Sequence, residues 1–362
     1  MRFPSDRLDK VQGRSAVRHS APFWHLRRNF GCGPGALICK PLSPRNSAVK
    51  KGRSTEAINL RVAAGNKLCL VRRMKDTIGR AILSPQFQSS LLGSAARVVV
   101  RKTRKIYPYS GEFLADFNAI ERPHYAYCML GAARLARRLG VDRISAIEFG
   151  VAGGNGLKFM CDFADEVRSA TGVSVDCWGF DSGKGMPEPQ GSKDLPYWFK
   201  AEQYRMDVPA LERSVPKAKL ILGEIAETVG GFVKREQPAP IGAIMNDVDY
   251  YSSTLASFGL LKQASERSAS FLPRMFMYFD DVIGSELEMY GPFNGQLAAI
   301  ETFNAEQEDC KIHLNQNLLP LSHVGFRHQI YYAHLLKHPD YDRYIGGAQQ
   351  LDLEQALHLQ AR

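Results

Sequence analysis

The sequence Ile144-Ser-Ala-Ile-Glu-Phe-Gly-Val-Ala-Gly-Gly-Asn-Gly-Leu157 decides the fold of this chain. It begins as a short apolar strand, passes through a glycine-rich turn and runs into a helix. Glycine adopts positive φ without penalty and lets backbone N–H groups approach a ligand closely. In a doubly wound sheet, ligands bind just outside the carboxyl ends of the strands, where Glu148 stands. The stretch therefore predicts a cofactor site.

The glycine spacing does not match the dinucleotide motif G-x-G-x-x-G. Phe159 stands where the third glycine would follow Gly154 and Gly156. Taken alone, the turn leaves two interpretations open, a cofactor-binding turn and an ordinary tight turn. The rest of the chain has to discriminate between them.

Length and composition predict one large folded domain, or two of ordinary size, after a basic N-terminal tail. The chain has 362 residues, of which 44% are hydrophobic, and this is enough for a core. Residues 1–60 hold twelve Lys or Arg and three Asp or Glu, which accounts for +9 of the net charge of +10. The remainder is nearly neutral, so no nucleic-acid partner is expected. We expect residues 1–60 to be a disordered basic tail, with an organelle transit peptide as the alternative.

Cysteine usage and hydropathy indicate the cellular compartment in which the protein is expected. The seven cysteines form no C-x-x-C pair and no zinc spacing, which favours free thiols in a reducing compartment. The sequence contains no run of about 18 apolar residues. It therefore predicts a cytoplasmic protein with no transmembrane helix and no membrane partner.

Residues 61–120 are predicted to form a helical or irregular cap before the main domain. Apolar clusters such as Val98-Val99-Val100 stand beside Arg101 and Lys102. A basic amphipathic segment of this kind can touch a membrane surface. We favour packing on its own domain, over the substrate side of the core, with the basic head groups reaching water.

Residues 121–340 carry alternating helix and strand signals, and residues 341–362 are interpreted as a C-terminal tail. Apolar periodicity predicts helices over 123–140, 155–170, 252–270 and 294–307. Strands are predicted at 143–149, 174–181, 218–222, 241–247 and 274–280, with two further strand-like runs at 311–315 and 328–333. Parallel neighbours need crossover connections, so the pattern predicts a Rossmann-like α/β fold with a doubly wound, mostly parallel sheet of about seven strands. The last two runs have no helix between them and predict an antiparallel pair at the C-terminal edge.

Acidic residues end several of the predicted strands. Asp181 follows Gly156 by 25 residues, a position where an acid can bind both hydroxyls of a ribose, although capping of the next loop is equally open. The fourth and fifth strands are followed by Asp247, Asp249, Asp280 and Asp281. Carboxylates crowded at one rim are commonly kept ionised by a bound cation, and oxygen ligands suit Mg²⁺, Mn²⁺ or Ca²⁺. The alternative is that these residues cap a helix and begin a loop.

Four segments, in this order, resemble class I S-adenosylmethionine-dependent methyltransferases and, more narrowly, the macrocin O-methyltransferase (TylF/MycF) family. They are Glu-Phe-Gly-Val-Ala-Gly-Gly-Asn at 148–155, Gly-Phe-Asp-Ser-Gly-Lys-Gly-Met-Pro-Glu at 179–188, Asp-Val-Asp-Tyr-Tyr-Ser-Ser-Thr at 247–254 and Phe-Asp-Asp at 279–281. The resemblance covers roughly residues 120–335.

The resemblance implies a role for each of the acidic and glycine positions. For the methionine part of S-adenosylmethionine it implies contacts with Glu148, Gly150, Gly153 and Gly156. For the adenosine part it implies contacts with Phe180, Asp181 and, more weakly, Gly223. It also implies that Mg²⁺ or Mn²⁺ binds Asp249, Asp280 and Asp281, and that Asp247 is the general base.

Two further groups of residues are weighed as site components. Three histidines near the last strands are interpreted as ordinary, partly buried side chains and not as the base: His313, His323 and His328. The aromatic residues between the second and third strands are equally compatible with a substrate lid and a packed loop: Tyr197, Trp198, Phe199 and Tyr204.

The expected function is S-adenosylmethionine-dependent, divalent-metal-assisted O-methylation of a hydroxyl on a small molecule. A sugar or another natural product is the candidate acceptor, and a homo-oligomer is left open. The alternative is a non-catalytic Rossmann-like module that binds the cofactor or a nucleotide sugar. Nucleic-acid methylation is disfavoured by the nearly neutral charge of residues 61–362.

Overall fold

The computed structural model describes residues 81–347. The predicted tail at 1–60, the first part of the cap and most of the C-terminal tail lie outside the described residues. The strands are β1 Arg143–Phe149, β2 Ser174–Asp181, β3 Lys219–Leu222, β4 Ile241–Asn246, β5 Phe271–Phe279, β6 Cys310–Leu314 and β7 Ile330–Leu335.

Helices flank and connect these strands. Those before β1 are α1 Pro85–Gln88, α2 Leu91–Thr103, α3 Gly111–Asp116 and α4 Pro123–Arg138. Those between β1 and β4 are α5 Asn155–Thr171, α6 Val208–Ser214, α7 Ile225–Thr228 and α8 Phe232–Glu236. The remainder are α9 Tyr251–Ser257, α10 Gly259–Lys262 and α11 Gly295–Glu306. The helix predicted over 252–270 is thus divided into α9, α10 and two 3₁₀ turns, Gln263–Ser265 and Ser268–Ser270.

The seven strands form one sheet in the order β3-β2-β1-β4-β5-β7-β6. The pairs β1–β2, β1–β4, β2–β3 and β4–β5 are parallel, whereas β7 runs antiparallel to both β5 and β6. The predicted fold class is confirmed: the sheet is mostly parallel, and an antiparallel pair closes its C-terminal edge. Parallel central strands are covered on both faces, and β1 is accordingly buried from Ile144 to Phe149.

The alternation of β5 side chains shows which helices cover each face. Phe276 fits against Gly131 of α4, where an added Cβ would lie 2.3 Å from the phenyl ring. Phe279 points to the other face, where its ring lies 6.0 Å from that of Phe258, and Phe258 lies 5.0 Å from Phe303 of α11. Helices α4 and α5 therefore form one layer, and α9 and α11 form the other.

Helix α2 differs in part from the expectation from the sequence. Two of its basic side chains bond to the domain: Arg97 Nε donates to the Phe117 carbonyl at 3.1 Å, and Arg101 donates to the Asn118 carbonyl at 2.8 Å, whereas Lys102 is exposed as expected. Leu91 and Val98 are exposed instead. The helix is held by hydrogen bonds from guanidinium groups to backbone carbonyls, which hydrophobic periodicity cannot reveal. In the described residues, no helix is long and apolar enough to cross a bilayer.

Candidate functional site

The carboxyl ends of four strands meet at one edge of the sheet. Phe149 at the end of β1 pairs with Phe180 of β2 and with Asn246 of β4, and Asn246 pairs with Phe279 of β5. A cavity of about 670 Å³ opens at this edge. A volume of this size suits a cofactor or small ligand.

The glycine turn is shaped by the close approach of two strand ends. Gly150 has φ 84°, and a Cβ there would lie 1.8 Å from the carbonyl oxygen of Asp247. Gly156 opens the first turn of α5, where a Cβ would lie 1.8 Å from Glu148 Oε1. Gly153 has open space on its Cβ side and lines the cavity. Two of these glycines are therefore required by packing, and the third leaves room for a ligand.

Glu148 has one carboxylate oxygen without a partner. The side chain is 1% exposed, and its Oε1 accepts a hydrogen bond from Tyr125 Oη at 2.6 Å. Its Oε2 is buried and has no hydrogen-bond partner within the described chain, although the side chain lines the cavity. Burial, reinforced by the charge of Asp247, raises the pKa of Glu148 to about 8. A cationic ligand group would relieve this burial cost.

Asp181 holds the glycine turn against β2. Its Oδ2 accepts from the backbone N–H groups of Val151 at 2.9 Å and Ala152 at 2.8 Å, and its Oδ1 accepts from Gly183 at 2.7 Å. A carboxylate has about four acceptor positions, so one remains for a ligand hydroxyl. Asp181 also lines the cavity, as predicted for a cofactor-side acid.

Two of the predicted cofactor residues do not line the cavity. Phe180 is fully buried, with its ring 4.8 Å from Phe149 and 4.9 Å from Phe232, so it packs the core. Gly223 has φ 132° and donates its backbone N–H to the Asp181 carbonyl at 3.0 Å. The residues that follow it, Glu224 and Ile225, line the cavity in its place.

The four aspartates after β4 and β5 all line the cavity. Burial and the charges of Asp280 and Asp249 raise the pKa of Asp247 to about 8. Burial raises the pKa of Asp249 to about 6, with a further contribution from the charge of Asp280. The pKa of Asp281 is raised well above its usual range by burial and by the neighbouring carboxylates. The predicted cluster is therefore assembled, and its members repel one another.

The orientation of the aspartates is set by local hydrogen bonds. Asp281 Oδ2 accepts from the Asp249 backbone N–H at 3.0 Å, and Asp249 has φ 56°. Asp280 accepts from the Tyr278 hydroxyl, and the Asp281 N–H donates to Gln296 Oε1 at 2.9 Å. Over residues 81–347, no three His, Cys, Asp or Glu side chains are grouped in a way that could hold a metal ion. The donor set has the oxygen chemistry of a hard cation, but the side chains would have to turn to coordinate one.

The cavity is strongly acidic, and we refer to it as the acidic cavity. Among residues 81–347, eight acidic side chains line it: Glu148, Asp181, Glu224, Asp247, Asp249, Asp280, Asp281 and Glu288. The same part of the chain contributes one basic side chain to the lining, Arg122, which precedes α4 and lies over the Tyr125 ring with Cζ 5.1 Å from its centroid. Nothing in the sequence distinguishes Arg122 from the other arginines, and sequence reasoning missed it.

The loop between β2 and α6 forms one wall of the acidic cavity. Asp194 is 1% exposed and accepts from the backbone N–H of Ser252 at 2.8 Å, from its hydroxyl at 2.7 Å and from the Gln190 N–H at 2.7 Å. Phe199 packs on Tyr250 with ring centroids 5.9 Å apart, while Trp198 and Tyr204 line the cavity and remain exposed. The loop is thus both packed at its base and open to a ligand at its tip.

The histidines considered as bases lie elsewhere. His313 contacts His334, with their Nε2 atoms 2.9 Å apart, and His323 Nδ1 lies 3.1 Å from Ser89 Oγ. Neither these two nor His328 lines the acidic cavity. His323 is partly buried as predicted, whereas His313 and His328 are exposed.

Comparison with known proteins returned similar solved structures and no sequence relative. The chain matches no protein-family model, and it has no match among curated proteins. The calicheamicin methyltransferase CalS11 is 16% identical, with coverage of 68% of this chain and 93% of that chain and a TM-score of 0.42. The O-methyltransferase NovP is 14% identical, with coverage of 68% and 98% and a TM-score of 0.41. The plantazolicin methyltransferase BamL, solved with a desmethylPZN analog and SAH, is 10% identical, with coverage of 68% and 97% and a TM-score of 0.32.

Proposed function

We propose that this chain is an S-adenosylmethionine-dependent O-methyltransferase that acts on a hydroxyl of a small molecule. The observation that carries the proposal is the acidic cavity, with eight carboxylates and one guanidinium at the carboxyl ends of β1, β2, β4 and β5. Such a cavity favours a ligand with positive charge, and S-adenosylmethionine carries a sulfonium and an ammonium group. The motifs that resemble class I methyltransferases line the same cavity, which supports the same ligand.

The methionine part would bind between Glu148 and Arg122. The unpartnered Oε2 of Glu148 is a buried acceptor suited to the ammonium group. Arg122 is the single basic side chain in the lining and suits the α-carboxylate. When bound, S-adenosylmethionine supplies a methyl group that is already electrophilic, so the protein mainly has to align the acceptor oxygen and exclude water.

The adenosine part would lie along the ends of β2 and β3. Asp181 keeps one acceptor position for a ribose hydroxyl after its three backbone hydrogen bonds. Ile225 and Ala226 offer the cavity an apolar wall beside it. This placement keeps the predicted role of Asp181 and moves the predicted contacts of Gly223 to the residues after it.

Asp247 is the residue that we assign as the general base. It follows β4, lines the cavity and lies beside Gly150, whose turn borders the proposed methionine position. Its carboxylate would accept the proton of the acceptor hydroxyl while that oxygen bonds to the methyl carbon, the carbon–sulfur bond breaks and S-adenosylhomocysteine leaves. A side chain in this role has to lie within hydrogen-bond reach of the hydroxyl, which the position at the cavity wall allows.

Asp249, Asp280 and Asp281 would hold a divalent cation, Mg²⁺ or Mn²⁺. Support comes from their oxygen donors and from their crowding: burial, together with the charges of neighbouring carboxylates, raises the pKa values of Asp249 and Asp281. A cation at this position would lower the pKa of a coordinated hydroxyl. The contribution of these three side chains is to concentrate negative charge next to Asp247.

Transfer of a radioactive methyl group tests the proposal. The full-length protein is incubated with methyl-labelled S-adenosylmethionine, Mg²⁺ and a panel of phenols, glycosides and hydroxylated natural products. We expect one acceptor class to be labelled and Asp247→Asn to reduce the rate at least a hundred-fold, since general-base catalysis contributes about 10² to 10⁴. Tight cofactor binding without labelling of any acceptor would favour the alternative of a non-catalytic binding module.

A further inference from the structure

Helix α2 presents an apolar surface to solvent. Its exposed side chains, together with two that follow the helix, are 51% to 91% exposed: Leu91, Leu92, Val98, Val99, Ile106 and Tyr107. We call these six residues the apolar face. Leu91 and Val98 are seven residues apart, as are Leu92 and Val99. The four side chains therefore lie along one side of the helix.

The orientation of the apolar face is set by bonds on the opposite side of α2. Arg97 donates to the carbonyls of Phe117 and Gln88, at 3.1 Å and 3.0 Å, and Arg101 donates to that of Asn118 at 2.8 Å. Ser90 caps the helix by accepting from the Gly93 N–H at 3.0 Å. The apolar side chains are thus directed outwards by four well-formed hydrogen bonds.

The sequence around the apolar face is basic without an acidic residue. Residues 81–111 contain five Lys or Arg and no Asp or Glu. Arg104 is paired with Glu121 at 2.7 Å, whereas Lys102 and Lys105 are exposed next to the apolar face. Apolar side chains flanked by lysines characterise helices that lie in the membrane interface.

We propose that the apolar face docks on an anionic lipid surface, with α2 lying in the plane of the interface. The helix has 13 residues and is therefore about 20 Å long, which suits the interface and not a span. Lys102 and Lys105 would meet lipid phosphates, and Tyr107 would lie at head-group depth, where aromatic residues are enriched. The inference is independent of the methyltransferase proposal.

Charge favours a lipid surface over a second copy of the chain. Two apolar faces packed together would bring together two copies of residues 81–111, which each carry five basic residues and no acidic residue. An anionic bilayer supplies the opposite charge and an apolar layer into which the face can insert. Self-association remains the outcome that competes with the proposal in the experiment.

Co-flotation with lipid vesicles tests the proposal. Full-length protein is mixed with vesicles of phosphatidylcholine alone or with 30% phosphatidylglycerol, and the bound fraction is measured at low and high salt. We expect binding to the anionic vesicles that weakens with salt. We expect V98D/V99D to weaken the partition coefficient on the order of ten-fold, because two side chains that insert are replaced by charges.

Two matched variants separate the apolar face from the basic tail. Leu336→Asp changes an apolar residue of similar exposure (44%) elsewhere on the domain and should bind as the wild type does. L91S/L92S removes apolar contacts without adding charge and should weaken binding in the same direction. Wild-type affinity in V98D/V99D would assign any binding to residues 1–60 and overturn the proposal. Absence of binding by the wild type, or a dimer that V98D/V99D converts to a monomer, would overturn it as well.

Discussion

Glu148 combines a structural cost with the binding role that we propose for it. Its carboxylate is buried, one oxygen accepts from Tyr125, and the other has no partner in the described chain. A protein that kept such a group for stability alone would fill its second acceptor position. We interpret the unmet acceptor as the position of a ligand cation, so stability and cofactor affinity should respond oppositely to its removal.

Glu148→Gln should stabilise the free protein at pH 8 and not at pH 5. Below about pH 4.5 the Glu148 carboxyl is protonated in both the folded and the unfolded protein. Between pH 4.5 and about pH 8 the unfolded chain releases this proton, whereas the folded chain retains it. Each pH unit in this window lowers the free energy of unfolding by about 1.4 kcal/mol. We expect Glu148→Gln to gain about 4 kcal/mol relative to the wild type by pH 8, measured by urea unfolding. Exposed Glu227→Gln is the control, and an equal difference at both pH values would contradict the assigned pKa.

Arg122→Ala should weaken S-adenosylmethionine binding on the order of ten- to a hundred-fold, because a charge-assisted hydrogen bond is worth about 1.5 to 3 kcal/mol. Arg122→Lys keeps the charge and loses the two-pronged geometry, so it should recover part of the loss. Calorimetric titration measures both, with exposed Arg168→Ala in α5 as the control. Equal affinity in Arg122→Ala and wild type would remove Arg122 from the site.

The paired change Asp249→Asn and Asp280→Asn should abolish cation binding. We expect the affinity for Mn²⁺, followed by its paramagnetic resonance signal, to fall on the order of a hundred-fold or more, since even changes that only reorient metal ligands cost ten- to a hundred-fold. Asp309→Asn, which removes a surface ion pair with Lys337, is the control and should leave Mn²⁺ binding unchanged. Full Mn²⁺ affinity in the double variant would show that these aspartates do not hold the ion.

At the scale of elements, the turn between β1 and α5 is constrained by β4. Gly150 N–H donates to the Phe180 carbonyl at 2.9 Å, and Asp247 N–H donates to the Phe149 carbonyl at 2.9 Å. The ends of β1, β2 and β4 are thereby held in contact, and Asp181 holds the following residues. The glycine turn is therefore held by hydrogen bonds from three strand ends, and these bonds place Glu148 and Asp247 at the same cavity.

Gly150→Ala and Gly153→Ala should differ sharply in stability. The first places a Cβ 1.8 Å from the Asp247 carbonyl oxygen at φ 84°, whereas the second meets nothing within 4 Å. We expect a loss of about 2 to 4 kcal/mol for Gly150→Ala and less than about 1 kcal/mol for Gly153→Ala, measured by urea unfolding. Comparable losses in both variants would contradict the close approach of β1 and β4.

The strands and helices with a clear apolar run between turn signals are predicted well from sequence. The predicted strand at 143–149 coincides with β1, and that at 174–181 coincides with β2, since each has an apolar run at its buried carboxyl half. The predicted helix at 123–140 is likewise present, as α4. The exposure of the apolar side of α2 was not predicted, because the orientation of this helix depends on bonds from Arg97 and Arg101 to distant carbonyls.

Considered as a whole molecule, the domain separates its charge. Among the described residues, eight acidic side chains line the cavity at the carboxyl edge of the sheet, and residues 81–111, which precede the sheet in the sequence, hold five Lys or Arg and no Asp or Glu. Sequence order alone predicted the acidic rim, since strand ends in a parallel sheet meet at one edge. Sequence order could not show that Arg122 lines the acidic cavity or that Phe180 does not, because both facts depend on the direction in which a side chain points.

Calorimetric titration of the full-length protein with S-adenosylmethionine, repeated in EDTA and in Mg²⁺, tests the central claim most directly. We predict saturable binding with one site per chain, competition by S-adenosylhomocysteine, and weaker binding in Glu148→Gln. Binding of this kind would also raise the melting temperature of the folded protein. Absence of both heat and thermal stabilisation in every buffer, or undiminished affinity in Glu148→Gln, would contradict the account.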